Sequence, residues 1–155
     1  MTSSERALEL AFRHLSRRDR TEAELRRHLA AKDVGEREAD AATTAEVVRM
    51  GYLDDARYAR TFAEDRRNLD GWGAERIERW LLALGVDRDH VAAAVGGRDG
   101  DEELEAAVEL LRRRFRDGVF ADERERERAL GMLARKGYEL ELAYDAVRAF
   151  ERAAA

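Results

Sequence analysis

The stretch 77–86, IERWLLALGV, decides the fold of this chain, together with 25–34 (LRRHLAAKDV) and 129–138 (ALGMLARKGY). In the middle stretch, apolar residues recur at i, i+3, i+4 and i+7, which places them on one face of a helix. These residues are Ile77, Trp80, Leu81 and Leu84. The three stretches begin at 25, 77 and 129, so one helical signature recurs at a constant spacing of 52 residues.

A second helical pattern precedes each signature, and a third follows it. We therefore predict an all-α fold of three tandem three-helix repeats, 1–53, 54–100 and 101–155. Because such small repeats must share their cores with their neighbours, they should form an elongated, curved helical array. One merged bundle of the same helices is the alternative. The clearest flanking patterns are Leu8, Ala11, Phe12 and Leu15 before the first signature, and Leu140, Ala143, Tyr144 and Val147 after the last.

Local signals agree with these elements. Thr21 with Glu24 predicts a capping box, and Asp122 with Glu125 its acidic counterpart, because each side chain can satisfy the other's backbone N–H. The glycines of Gly96–Gly100 predict a flexible joint. The break before the second signature is Gly71-Trp72-Gly73, and the expected C-cap positions after the three signatures are Asp33, Gly85 and Gly137.

Composition excludes several classes of protein. The chain has no cysteine, which excludes disulfides, thiolate catalysis and cysteine zinc sites. No apolar stretch approaches the about 18 residues of a membrane span, and the charged first helix is unlike a signal peptide. We expect a cytoplasmic protein without membrane contact, and a monomer. The net charge of −5 argues against a protein that mainly coats phosphates.

A longer motif stands at the first repeat boundary, Gly51-Tyr52-Leu53-Asp54-Asp55-Ala56-Arg57-Tyr58-Ala59. It is followed by Arg66, Gly71, Gly73, Arg76 and Ile77, and it is preceded by the stretch 20–29 (RTEAELRRHL). Taken together, these segments resemble the RecX family of recombinase regulators, over nearly the whole chain.

The resemblance implies a protein that binds the RecA recombinase and its nucleoprotein filament. Such a protein lies in the helical groove of the filament and favours filament disassembly. It thereby restrains strand exchange, ATP hydrolysis and co-protease activity in DNA repair and the SOS response. The resemblance implies no catalytic centre and no cofactor. The sequence agrees, because it offers no nucleophile–base pair, phosphate loop or histidine metal pattern.

The predicted partner-binding residues are mostly arginines, because a guanidinium pairs bidentately with the carboxylates and phosphates that a filament groove offers. Solvated helix surface with weak ion pairs is the alternative for each of them. Trp72 is either an anchor facing the partner or a cover for the joint between repeats. The predicted set is Arg17, Arg18, Arg26, Arg27, Arg57, Arg66, Arg67, Trp72 and Arg76, and further arginines stand at Arg20, Arg79 and 112–114.

Two groups within the motif have alternative interpretations. Asp54 and Asp55 either cap the helix that follows them, which we favour, or form a metal or general-base site. Tyr52, Tyr58 and Phe62 either pack in the core, which we favour, or stack on nucleobases.

An independent DNA-binding helical module is the alternative function, because three-helix units can resemble helix-turn-helix folds. This function predicts tight, salt-dependent binding of DNA without RecA. The three repeats have net charges of 0, −2 and −3, so a repeat that faces DNA should be the first. A protein that binds RecA could also make a weak contact with the DNA of the filament, and the sequence does not decide between these alternatives.

Overall fold

The computed structural model describes residues 2–32, 37–115 and 118–154, and the side chains of 37–40 lie outside the description. Regular structure in this part of the chain is helical, which confirms the all-α prediction. Asp33 lies outside the described residues, so its predicted role as a C-cap has no structural counterpart here. The helices are α1 (Ser3–Leu15), α2 (Glu22–Ala31), α3 (Arg37–Arg49), α4 (Asp55–Asp65), a π-helical turn (Arg66–Asp70), α5 (Ala74–Ala83), α6 (Arg88–Val95), α7 (Gly100–Arg114), α8 (Glu123–Lys136) and α9 (Leu140–Ala153).

The repeated signature forms the second helix of each repeat and faces the core. Two of its columns are fully buried in all three copies: Leu25, Ile77 and Ala129, and then Leu29, Leu81 and Leu133. The column between them lies at the edge of the apolar face. Trp80 is 48% exposed, so the apolar face predicted for the middle copy is wider than the buried core, and the indole at this edge projects past it.

The chain packs as two compact units, Met1–Thr61 with Leu81–Val91, and Phe62–Trp80 with Ala92–Ala155. The middle repeat contributes to both units, so the predicted boundaries after residues 53 and 100 stay predictions, as does the elongated, curved shape. The core of the first unit includes Ala11, Leu25, Leu29, Val47 and Leu53. The core of the second is built from α7, α8 and α9 and includes Val108, Leu111, Leu133, Val147 and Phe150.

In the first unit, the beginning of α2 contacts the end of α5. The Thr21 hydroxyl donates a hydrogen bond of 2.7 Å to the carbonyl oxygen of Leu84. Gly85 follows at a positive φ of 83°, and a Cβ added to it would lie 2.3 Å from the Cβ of Ala23. Only glycine fits this turn, because a side chain would be strained and would also collide with α2.

The second unit contains the same joint, 52 residues further along the chain. The backbone N–H of Gly73 donates a hydrogen bond of 2.7 Å to the carbonyl oxygen of Lys136. Gly137 follows at a φ of 99°, and a Cβ added to it would lie 2.3 Å from the Cβ of Arg76. The two predicted C-cap glycines therefore have a second role, since they also allow close contact with the preceding repeat.

The segment Gly96–Gly100 is anchored, contrary to the predicted flexible joint. Arg98 is largely buried and donates a hydrogen bond of 2.7 Å to the Glu103 carboxylate. Asp99 caps α7 and forms a reciprocal capping box with Glu102. A largely buried ion pair and a helix cap thus hold a segment whose composition indicated flexibility. The contacts of Arg98 and Asp99 restrict the backbone that the glycines alone would leave mobile.

Two glycine substitutions separate backbone strain from collision at the joint. Gly51 also has a positive φ, 82°, but a Cβ there would meet nothing within 4 Å. We expect Gly51→Ala to lower the free energy of unfolding by about 1–2 kcal/mol, the cost of the left-handed conformation. Gly137→Ala adds a collision with Arg76 and should cost about 3 kcal/mol or more. Urea unfolding followed by circular dichroism measures both, and equal losses would contradict this account of the joint.

Candidate partner-binding surface

Four side chains of the second unit form a surface that we call the arginine–tryptophan surface: Arg66, Trp72, Arg76 and Trp80. The Arg76 guanidinium lies over the Trp72 ring, 4.2 Å from its centroid, and that of Arg66 lies 5.9 Å away. The rings of Trp72 and Trp80 are 6.0 Å apart. An aromatic ring attracts a cation placed over its face, so the two arginines and the Trp72 indole stabilise each other.

The local fold holds these side chains in place. Trp72 stands between the π-helical turn and α5, where the backbone of Gly73 is bonded to Lys136. Arg66 forms an ion pair with Asp70 across the π-helical turn. Arg76 donates a hydrogen bond of 2.9 Å to the carbonyl oxygen of Arg135. The surface is therefore ordered before any partner binds, which lowers the entropy that binding must remove.

Arg67, which follows Arg66 directly, points into the second unit. It donates a hydrogen bond of 2.8 Å to the carbonyl oxygen of Val95. Burial, and then the nearby charge of Arg98, lower the pKa of its guanidinium. These contacts give Arg67 a structural role, and its predicted contact with a partner stays a prediction.

Five of the predicted arginines lie in the first unit: Arg17, Arg18, Arg26 and Arg27 of the first repeat and Arg57 of the second. Arg18 pairs with Glu24 at 3.3 Å, and Arg26 pairs with Glu22 at 2.8 Å. The Glu24 carboxylate also lies 3.8 Å from the Arg20 guanidinium. Of the predicted capping box, the structure shows the bond in which the Thr21 hydroxyl accepts from the Glu24 N–H, and the Glu24 side chain pairs with arginines instead of the Thr21 N–H. Arg17, Arg27 and Arg57 are exposed, and the described residues give them no ion pair.

A histidine pair in the first unit was missed from the sequence. The rings of His14 and His28 are stacked, with centroids 3.7 Å apart and planes within 8°. Burial, then His28 and then Arg20 lower the pKa of His14 to about 4. Burial and then Lys32 lower the pKa of His28. Both rings are thus neutral at pH 7, and cationic side chains surround them.

The repeat register offers a signal that identifies this pair. His14 stands 52 residues before Arg66, and His28 stands 52 residues before Trp80. The register holds in these helices, because Ala11 and Ala63, also 52 residues apart, are both buried. The stacked histidines thus occupy, in the first repeat, two positions of the arginine–tryptophan surface.

The motif at the first repeat boundary is structural in most of its residues. Asp54 accepts from the Arg57 N–H at 3.1 Å and so caps α4, as predicted. Asp55 accepts instead from the Glu22 N–H at 3.0 Å and caps α2. Leu53 is buried, whereas Tyr52 is 55% exposed. The predicted core position of Tyr52 is wrong, because the turn at Gly51 directs Leu53 into the core in its place.

The structure bears on two expectations, the absence of a metal site and the absence of a membrane-spanning helix. Over residues 2–32, 37–115 and 118–154, no group of three or more histidine, aspartate or glutamate side chains is placed to hold a metal ion. Within the same ranges, no helix is long and apolar enough to span a membrane.

Comparisons with known proteins agree on one family. Models of the first, second and third three-helix domains of RecX match residues 7–44, 54–95 and 101–147. The regulatory protein RecX of Mycobacterium avium (strain 104) is 33% identical over 147 residues, which cover 94% of this chain and 84% of that protein. The regulatory protein RecX of Stenotrophomonas maltophilia (strain R551-3) is 36% identical over 138 residues, covering 89% and 80%.

A solved structure agrees as well. The crystal structure of RecX from Lactobacillus salivarius superimposes with a TM-score of 0.83 at 18% sequence identity and covers 97% of each chain. This likeness supports the fold. Together with the three matched domains, it confirms the prediction of three-helix repeats in tandem.

The histidine pair predicts a pH dependence of stability. Because the folded state lowers the pKa of His14 from 6.5 to about 4, the unfolded chain binds more protons between these values. The stabilisation should be complete above pH 6.5 and lost as pH falls toward 4, by about 1–2 kcal/mol for a partly exposed ring. Urea unfolding of wild type and of His14→Gln at pH 7 to 5 measures this slope.

The slope should be shallower in His14→Gln, which cannot titrate. Identical slopes for wild type and His14→Gln would contradict this role of the pair.

Proposed function

We propose that this chain, which belongs to the RecX family, binds RecA and its nucleoprotein filament and restrains the activities of the recombinase. The relatives that cover most of its length are named regulatory proteins. Membership in the family therefore makes this chain a regulatory protein. The observation that supports a binding site is the Trp72 ring, which has the guanidinium groups of Arg66 and Arg76 over it and lies beside the half-exposed Trp80.

The residue types of the arginine–tryptophan surface favour a protein partner. Tryptophan and arginine are enriched among the few residues that contribute most to protein–protein affinity. An indole supplies a large apolar area, and an ordered guanidinium supplies a rigid pair of donors for carboxylates or phosphates. A nucleoprotein filament offers both kinds of acceptor.

The charge distribution supports the same partner. The chain has a net charge of −5, so its overall field repels DNA. Short-range contacts must then provide the affinity, and these depend on shape and on paired groups more than on counterion release. A filament that presents protein surface next to DNA suits such a site better than bare DNA does.

The effect on the recombinase depends on a difference in affinity. A bound protein changes a filament equilibrium only when it binds one state more tightly than the other. We therefore propose that the regulator binds most tightly to a filament state that hydrolyses ATP slowly or that dissociates. Inhibition at fewer than one regulator per RecA is the expected consequence.

Inhibition of DNA-dependent ATP hydrolysis by RecA tests the proposal. The variant Arg66→Ala with Trp80→Ala removes the half-buried guanidinium of Arg66 and the exposed indole of Trp80, and it leaves the hydrogen bond of Arg76 in place. We expect the concentration for half-maximal inhibition to rise about tenfold or more, as for loss of a binding hot spot. Arg79→Ala with Leu82→Ala is the matched control, because both are exposed residues of α5.

Two outcomes would contradict different parts of the proposal. Absence of inhibition by the wild-type protein at equimolar concentration would contradict the function. Equal potency of the surface variant and its matched control would contradict the assigned surface and leave the function to another face of the molecule.

Independent DNA binding remains the second candidate function, because Arg17, Arg20 and Lys32 surround the histidine pair in the first repeat. Fluorescence anisotropy with labelled single-stranded DNA at low salt, without RecA, tests it. We expect weak binding. Tight binding with a steep salt dependence that Arg17→Ala weakens would favour the DNA-binding module instead.

A further inference from the structure

The third repeat contains a cleft of about 690 Å³ at the beginning of α8. Four arginines line it, and the aromatic ring of Phe115 and the thioether of Met132 add apolar surface. The described structure gives these four arginine side chains no ion pair, whereas Arg112 and Arg113 nearby on α7 both pair with Glu109. The four arginines are Arg114, Arg124, Arg128 and Arg135, and all are exposed.

The cleft also contains two carboxylates, and both accept backbone hydrogen bonds. Asp122 accepts from the Glu125 N–H at 2.9 Å as the N-cap of α8. Glu125 accepts from the Ala121 N–H at 2.8 Å. The four arginines outnumber these two carboxylates, so the cleft has an excess of positive charge. Because both carboxylates accept backbone hydrogen bonds, the guanidinium donors are available to a bound group.

The repeat register relates this cleft to the arginine–tryptophan surface. Arg124, Arg128 and Met132 stand 52 residues after Trp72, Arg76 and Trp80. The third repeat therefore has arginine and methionine where the second repeat has its two indoles. Arg76 is matched by Arg128, so the changes at the other two positions replace aromatic side chains by a cationic and an aliphatic one.

We propose that this cleft binds a short acidic segment of a protein partner. Carboxylates of the segment would pair with Arg124 and Arg128, because a guanidinium fork matches the two oxygens of a carboxylate. An apolar side chain of the segment would lie against Phe115 and Met132. This site goes beyond the proposed regulation of the recombinase and uses other side chains than the arginine–tryptophan surface, which it meets at the backbone carbonyl of Arg135, the acceptor of the Arg76 hydrogen bond.

The surroundings favour a protein segment over a nucleic acid. The third repeat has a net charge of −3, and the whole chain has −5. A nucleic acid has one charge about every 3.4 Å along each strand, so most phosphates would lie outside the cleft and face acidic surface. A short segment places its few charges inside the cleft and avoids this repulsion.

Fluorescence anisotropy with a defined probe tests the site. The probe is a fluorescein-labelled peptide of alternating glutamate and leucine, and the same peptide with glutamine in place of glutamate is its control. We expect the full chain to bind the glutamate peptide at least about tenfold more tightly than the glutamine peptide, since each charge-assisted pair adds affinity. Equal affinities would overturn the proposal.

Matched variants locate the binding. Arg124→Ala with Arg128→Ala should weaken binding of the glutamate peptide about tenfold or more. Arg112→Ala with Arg113→Ala removes the same charge from exposed arginines of α7 and should change it less than about threefold. Equal effects of the two double variants would show a general charge effect and would overturn the proposal, as would tighter binding of labelled oligothymidylate at the same arginines.

A charge reversal keeps the test informative if the alanine variant folds poorly. Arg124→Glu with Arg128→Glu adds acidic residues near the beginning of α8, where the helix dipole favours them. This variant should lose the glutamate peptide and bind an otherwise identical lysine–leucine peptide, and failure to switch would overturn the proposal. Its inhibition of ATP hydrolysis by RecA should stay within about twofold of wild type, which separates this site from the proposed function.

Discussion

The carbonyl oxygen of Leu84 accepts a hydrogen bond from Thr21, and that of Lys136 accepts one from Gly73. The last carbonyls of a helix have no partner within the helix, so each of these contacts both satisfies a helix end and joins it to the preceding repeat. A glycine follows each carbonyl and allows the two backbones to approach closely. The same pair of features, a bonded carbonyl and a glycine after it, thus joins neighbouring repeats so that they can share a core.

The arginine–tryptophan surface depends on this joint. Trp72 directly precedes Gly73, and the chain around it is bonded on both sides. Lys136 donates to the carbonyl oxygen of Asp70, and the Tyr138 hydroxyl donates to that of Gly71. The backbone that carries the Trp72 side chain is therefore held in place by the third repeat. The geometry of the surface thus depends on the packing between the second and third repeats.

The sequence predicted what periodicity controls. The 52-residue register identified the second helix of each repeat and its buried columns, and Asp54 was predicted correctly as a cap. Periodicity defines an apolar face but not how much of it is buried, so it put Trp80 on the same face as Ile77 and Leu81 although its indole is half exposed. Adjacent arginines look alike in a sequence, and the structure distinguishes them by their partners: Arg67 donates to the distant carbonyl oxygen of Val95, whereas Arg66 pairs with Asp70.

The histidine pair shows a similar limit. His14 and His28 are on different helices, and neither has a metal-ligand spacing that would attract notice. Their contact follows from the packing of α1 on α2, which helix propensities do not encode. The register between repeats gives only their equivalents in the second repeat, which are Arg66 and Trp80.

Both tryptophans of the chain lie in the arginine–tryptophan surface. Intrinsic ultraviolet emission excited at the indole band therefore originates from this one place, without any label. The neighbouring guanidinium groups and the half-exposed position of Trp80 make that emission sensitive to whatever displaces water from it. The lining of the cleft in the third repeat contains no indole, so the direct contacts of an occupant there do not involve either tryptophan.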